Sequence, residues 1–148
     1  MTFNRIESPG YMTNLAARLF ARVIDRRLKP LGVVSGQLPV FFELANRPQQ
    51  SQKRLAEAAA IEQPTMAATL SRMERDGLVS KQRDPKDGRS MLYSLTPAAM
   101  EKAARVRAAI REVNALATRD LDKDERAAHL AILKKMTVAL EQGLDQPD

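Results

Sequence analysis

Four cations, Lys81, Arg83, Lys86 and Arg89, fall within nine residues that also contain Pro85, Asp87 and Gly88. Pro presets φ, Asp bonds its neighbours' backbone and Gly tolerates left-handed torsions, so Pro85 to Arg89 reads as a turn. Leu78 to Arg83 leads in and Ser90 to Thr96 leads out. Met91, Tyr93 and Leu95 alternate with Leu92 and Ser94, a period of two. The connection is too long for a two-residue hairpin and strongly polar, so it projects into solvent. A basic hairpin of this kind has electrostatic chemistry, and its natural counterpart is a polyanion. A solvated basic loop with no partner has the same composition.

The element just before the hairpin gives it direction. Pro64 suits the first position of a helix, where its missing N–H costs nothing. Met66, Leu70 and Met73 then repeat at helical spacing, and Gly77 suits the left-handed residue past the end. A shorter helix opens at Ser51 or Gln52 and runs to Ala60, with Leu55 and Ala58 or Ala59 inward. Two short helices joined by a tight turn make a helix-turn-helix, and the basic hairpin behind them makes it winged.

The rest of the chain is helical in pattern. Residues 1 to 10 read as a loose arm. From Tyr11 to Leu31 the apolar positions are Leu15, Leu19, Val23, Ile24, Leu28 and Leu31, ended by Pro30 and Gly32. Ser35 is a cap for the next helix, whose apolar face is Leu38, Phe41, Phe42 and Ala45, with Leu44 beside it. Thr96 caps a helix that has Pro97 at its first position. Ala103, Val106, Ile110, Val113 and Ala117 keep a 3-4 spacing close to a heptad seam. Leu121-Asp122 breaks it, and a last helix runs from about Lys123 to Gln142 with Leu130, Leu133, Met136, Leu140 and Leu144 apolar.

The expected fold class is therefore mainly α with a small β-hairpin wing (α+β). Residues 1–34 form an arm and dimerisation helix, 35–97 the winged helix-turn-helix module, and 98–148 C-terminal dimerisation helices. The flanking helices are too long and too apolar on one side for so small a module to bury. A second copy, related by a two-fold axis, is the simplest cover.

Composition agrees. The net charge is +6. The first fifty residues hold seven Lys/Arg against three acids, and residues 51 to 96 eight against six. Residues 97 to 148 balance at nine each, so the excess sits in the N-terminal two thirds, where the winged module lies. Charge of this size bears on partners rather than on fold. The absence of Cys removes disulfides, thiolate sensing and Cys-based zinc. One histidine, His129, removes a multi-His metal site within one chain, and there is no Gly-rich phosphate loop. No metal, cofactor or enzymatic activity is expected. No apolar run approaches the ~20 residues that span a bilayer, and Met1 to Gly10 has no signal-peptide core. A cytoplasmic protein is expected.

In a helix-turn-helix the N-terminal part of the second helix meets base edges in the major groove. Here these residues are Gln63, Thr65, Ala68, Thr69 and Arg72. Gln63 can bond adenine N6 and N7, Ala68 can touch a thymine methyl, and Arg72 can take guanine or phosphate. Thr65 and Thr69 can reach either. In the wing, Lys86 and Arg89 are the tip cations, and Arg suits the negative potential of a narrow minor groove. Asp87 cannot bind phosphate; it can hold the Arg89 guanidinium or a nearby backbone N–H.

These pieces in order resemble the MarR family of bacterial transcriptional regulators. The match runs through Leu55-Ala56-Glu57, Gln63-Pro64-Thr65, Arg72 to Val79, Asp84 to Arg89 and Leu95-Thr96. The wing spacing of that family, Asp-x-Arg and then Leu-Thr after five residues, is met by Asp87, Arg89, Leu95 and Thr96. The resemblance implies a dimer with interlocked terminal helices, two winged modules on a pseudo-palindromic duplex DNA operator, and a small anionic, aromatic or phenolic effector that weakens DNA binding. It maps residues 62–75 onto the recognition helix. Glu62 stands where many members carry Ser, and it would repel a nearby phosphate. The function expected is a homodimeric, sequence-specific repressor relieved by such a ligand; the alternative is a non-specific or architectural nucleic-acid binder. A ligand pocket would lie where helices 11–31, 35–46 and 97–118 meet the winged module, with Arg18, Arg22, Phe41 and Phe42 as nominal candidates and His129 a weaker one.

Overall fold

The computed structural model describes residues 4–146. Six α-helices and three short strands run in the order α1 (Pro9–Leu28), α2 (Leu38–Asn46), β1 (Gln50–Ser51), α3 (Gln52–Ala59), α4 (Gln63–Arg75), β2 (Val79–Arg83), β3 (Met91–Leu95), α5 (Pro97–Ala117) and α6 (Lys123–Leu144). The architecture is mostly helical with a small antiparallel sheet, the winged-helix fold expected from the sequence. Two compact units, Met1–Arg111 and Glu112–Asp148, divide the chain.

In the first unit, α1 starts earlier than Tyr11. Ser8 caps it by accepting a hydrogen bond from the Tyr11 N–H at 3.2 Å, and Pro9 takes the first helical position. Residues Arg5–Glu7 already form a 3₁₀ turn, so the expected loose arm is ordered from there on; its first three residues lie outside the described residues. Only Ile24 and Leu28 of α1 are buried, whereas Leu19, expected inward, is 49% exposed. The helix ends through a 3₁₀ turn, Lys29–Leu31, and Gly32 at φ +66°, where the absence of a Cβ permits the left-handed turn.

Ser35 is not the cap of α2. Its backbone N–H donates to the Asp25 carboxylate at 2.6 Å, while Val34 N–H donates to the buried Gln37 side chain at 3.1 Å. These bonds hold a 3₁₀ turn, Ser35–Gln37, against α1 and rotate the helix that follows. The buried face of α2 is Val40, Phe41 and Leu44; Phe42 and Ala45, expected inward, face outward.

The helix-turn-helix forms as its pattern requires. Ser51 caps α3, accepting from Arg54 N–H at 3.3 Å. Leu55 and Ala56 are buried, whereas Ala58 is exposed and Ala59 half-buried. Ala60 turns the chain at φ +51°, and α4 begins at Gln63 with Pro64 in its first turn. Met66, Leu70 and Met73 are fully buried. Gly77, at φ +71°, ends the helix and feeds β2.

The sheet has the order β1-β3-β2. Val79 pairs with Leu95, Lys81 with Tyr93 and Arg83 with Met91, the expected hairpin. The short β1 strand was not expected; Gln50 pairs with Tyr93 and Ser51 with Leu92, bordering the middle of β3 rather than the root of the wing. At that root Thr96 ties three elements. Its hydroxyl donates to the Gly77 carbonyl at 2.6 Å and accepts from Ala99 N–H at 3.1 Å, capping α5. Its own N–H donates to the Leu78 carbonyl.

In the second unit, Asp122 and Glu125 cap α6 reciprocally, at 2.8 and 2.9 Å. No residue of α6 is buried; Leu133 and Met136 are half-buried, and Leu130, Ile132, Val138 and Leu140 are exposed.

Candidate nucleic-acid interface

Burial of Met66, Leu70 and Met73 fixes which side of α4 faces out. Thr65, Ala68, Thr69 and Arg72 stand at i, i+3, i+4 and i+7, one helical face. All but Thr69 are exposed, and Thr69 is half-buried. Gln63 is exposed at the helix start. The Thr69 hydroxyl donates to the Thr65 carbonyl at 3.0 Å, so towards an external partner it can only accept. Glu62 precedes the helix without a side-chain cap, leaving its carboxylate in solvent at the positive end of the helix dipole.

The wing tip is built by two aspartates. Asp84 accepts from the Lys86 N–H at 2.8 Å, and Asp87 accepts from the Arg89 N–H at 3.1 Å. Backbone bonds from Asp84 to Ser90 and from Ser90 to Asp87 close the loop. Of the two partners the sequence left open to Asp87, the structure selects the backbone N–H.

The four wing cations then divide. Lys81 pairs with Glu74 at 3.5 Å, and the Arg83 guanidinium donates to the Gly88 carbonyl at 3.1 Å. These two brace the hairpin. Among the described residues, Lys86, Arg89 and Arg72 have no side-chain partner, and all three are exposed. Sequence reasoning missed the roles of Asp84 and Arg83. An Asp-Pro start to a turn is a signal for the first, and nothing local marks the second.

A cleft of about 350 Å³ lies between α2 and α5. Phe41, Phe42, Ala45 and Asn46 line one wall, and Ala103, Val106, Arg107 and Ile110 the other. Arg18 and Arg22 are exposed on α1 and do not line it. The cation at its wall is Arg107, one turn beyond Ala103 on α5. His129 is exposed on α6. No cluster of His, Cys, Asp or Glu among the described residues could hold a metal ion. No helix among them is long and apolar enough to cross a membrane.

An outward-facing second helix followed by a braced cationic hairpin defines a winged helix-turn-helix protein. Residues 35–91 match the model of the MarR family. A probable transcriptional regulator from Pseudomonas aeruginosa superposes with a TM-score of 0.81 at 25% identity, over 88% of this chain and 97% of that one. The PcaV transcriptional regulator from Streptomyces coelicolor, solved with its natural ligand, gives 0.83 at 24% identity, over 95% and 99%. A mutant MarR from E. coli, complexed with operator DNA, gives 0.83 at 21%, over 92% and 98%. The winged module thus matches the MarR family over residues 35–91, and the chain shares the fold of these transcriptional regulators.

Proposed function

We propose that this protein is a homodimeric, sequence-specific DNA-binding repressor whose grip is relieved by a small anionic or phenolic ligand. The observation that carries the DNA reading is the division of the cations. Lys81 and Arg83 are spent on the hairpin, while Arg72, Lys86 and Arg89 keep unpaired charge on the exposed side of α4 and at the wing tip. Unpaired cations on a preformed frame suit phosphate and groove contact, because no internal ion pair has to be broken first. Gln63, Thr65, Ala68 and Thr69 then face base edges, and Asp87 shapes the tip that presents Arg89.

Two copies follow from the apolar surface. Leu19 and Phe20 of α1 are 49% and 38% exposed, and Leu130 and Leu140 of α6 are 58% and 67% exposed. Apolar faces of this kind mark an interface, and a two-fold dimer matches a two-fold operator. Residues 1–34 and 98–148 would supply that interface and 35–97 the DNA contacts, in a protein that works in the cytoplasm. The cleft between α2 and α5 supports an effector: apolar walls with one guanidinium, Arg107, suit an aromatic acid or phenol. PcaV, with the same fold, was solved with a ligand.

Footprinting the DNA upstream of the protein's own gene tests the reading. The expected result is a protected two-fold site with half-site centres roughly one turn, ~34–36 Å, apart. Uniform, salt-sensitive coating would instead identify a non-specific binder.

A further inference from the structure

Gln52 opens α3 and Gln63 opens α4, and the turn at residues 60–62 brings these two helix starts into contact. The Gln52 Nε2 lies 3.4 Å from the Gln63 backbone carbonyl oxygen and 3.5 Å from the Gln63 side-chain Oε1. A backbone carbonyl only accepts, so the NH2 end of Gln52 must be the end that faces Gln63. Its N–H groups then also meet Oε1, and the Gln63 amide is turned with its own NH2 away from α3. Both distances are long for N–H···O bonds. The pair therefore restrains the orientation of an exposed amide without locking its position.

We infer that Gln52 is a positioning residue for base recognition, holding the Gln63 amide in the orientation that reads adenine. The inference rests on the reading of α4 as the base-contacting helix. The major-groove edge of adenine offers N7 as acceptor beside the N6 donor. A glutamine satisfies both only when its oxygen and nitrogen lie the right way round, and a free amide has two orientations. Gln52 occupies one lone pair of Oε1, which leaves the other for adenine N6–H and the Nε2 donors for N7. Guanine presents two acceptors, and there the restrained Oε1 would face O6, oxygen against oxygen. Gln52 thus contributes to sequence discrimination without touching DNA.

The test uses the full-length protein and selection from a library of random-core duplexes. Wild-type protein should select an A·T pair at the position read by Gln63, preferred over G·C by roughly fivefold or more. Gln52→Met keeps helix propensity and removes the amide. It should lower that preference about threefold or more at that base pair alone, with affinity for a random-sequence duplex unchanged. A purely structural role would lower all affinities together. In a Gln63→Met background, Gln52→Met should change no base preference. The inference is overturned if Gln52→Met leaves the preference intact while Gln63→Met removes it. It is also overturned if Gln52→Met acts equally in both backgrounds, since Gln52 would then read DNA itself. If wild-type protein selects no sequence and Gln63→Met is silent, the base-contacting role of α4 fails and the inference falls with it.

Discussion

The carboxylate of Asp87 accepts the backbone N–H of Arg89 at 3.1 Å and leaves the Arg89 guanidinium unpaired. One residue shapes the turn and the other keeps its charge for a partner. Arg89→Ala should therefore weaken operator binding and lower the slope of log K against log salt concentration by about 1. Stability should stay within ~0.5 kcal/mol, as for an exposed side chain. Binding isotherms at several salt concentrations, with a urea melt, check both; unchanged affinity at physiological salt would refute the role of Arg89.

Asp87→Ala separates shape from charge. It deletes the turn bond without removing a cation, so affinity should fall while the salt slope keeps its wild-type value. A fall in slope as large as that of Arg89→Ala would show that Arg89 loses its phosphate contact altogether once the turn bond is gone.

Thr96 joins the end of α4 to the start of α5 through two side-chain hydrogen bonds. Thr96→Val keeps the shape and removes both, leaving the Gly77 carbonyl and the Ala99 N–H without their partner. A loss of about 1–3 kcal/mol is expected in equilibrium urea unfolding. Thr96→Ser retains the hydroxyl and should recover most of it.

Ala60 adopts φ +51°, a left-handed torsion that an L side chain resists. Ala60→Gly removes the Cβ from that turn, at some cost in unfolded-chain entropy. The net expectation is a gain of about 0.5–1 kcal/mol, read as a higher Tm. A lower Tm would show that the Cβ makes a contact worth more than the strain it causes.

The exposed leucines of α6 predict the assembly. Leu130→Glu combined with Leu140→Glu should convert a dimer to a monomer in sedimentation and make operator binding at least tenfold weaker. A persisting dimer would place the interface elsewhere.

Much of this was legible in the chain itself. The 4- and 3-residue spacing of Met66, Leu70 and Met73 sets the inner face of α4, and that face dictates which residues point out. Pro64, Gly77 and the Pro85 to Gly88 turn mark boundaries because their backbone chemistry is local. Local rules did less well on α2, where the 3₁₀ turn held by Asp25 and Gln37 rotates the helix and turns Phe42 outward. Residues 50 and 51 give no strand signal, since a two-residue strand exists only when β3 is there to pair with it.

The amino-acid sequence by itself determined the six helices and the hairpin, their order, the outward face of α4 and the charge of the wing. Each depends on periodicity or on one residue's own torsional and ionic character. Only the tertiary structure decided which cations are spent and which are free, that Asp87 serves the backbone, that Arg107 rather than Arg18 or Arg22 borders the cleft, and that Gln52 meets Gln63. Those facts depend on which groups come within bonding reach of one another, and that is settled only once the hairpin and the core have closed.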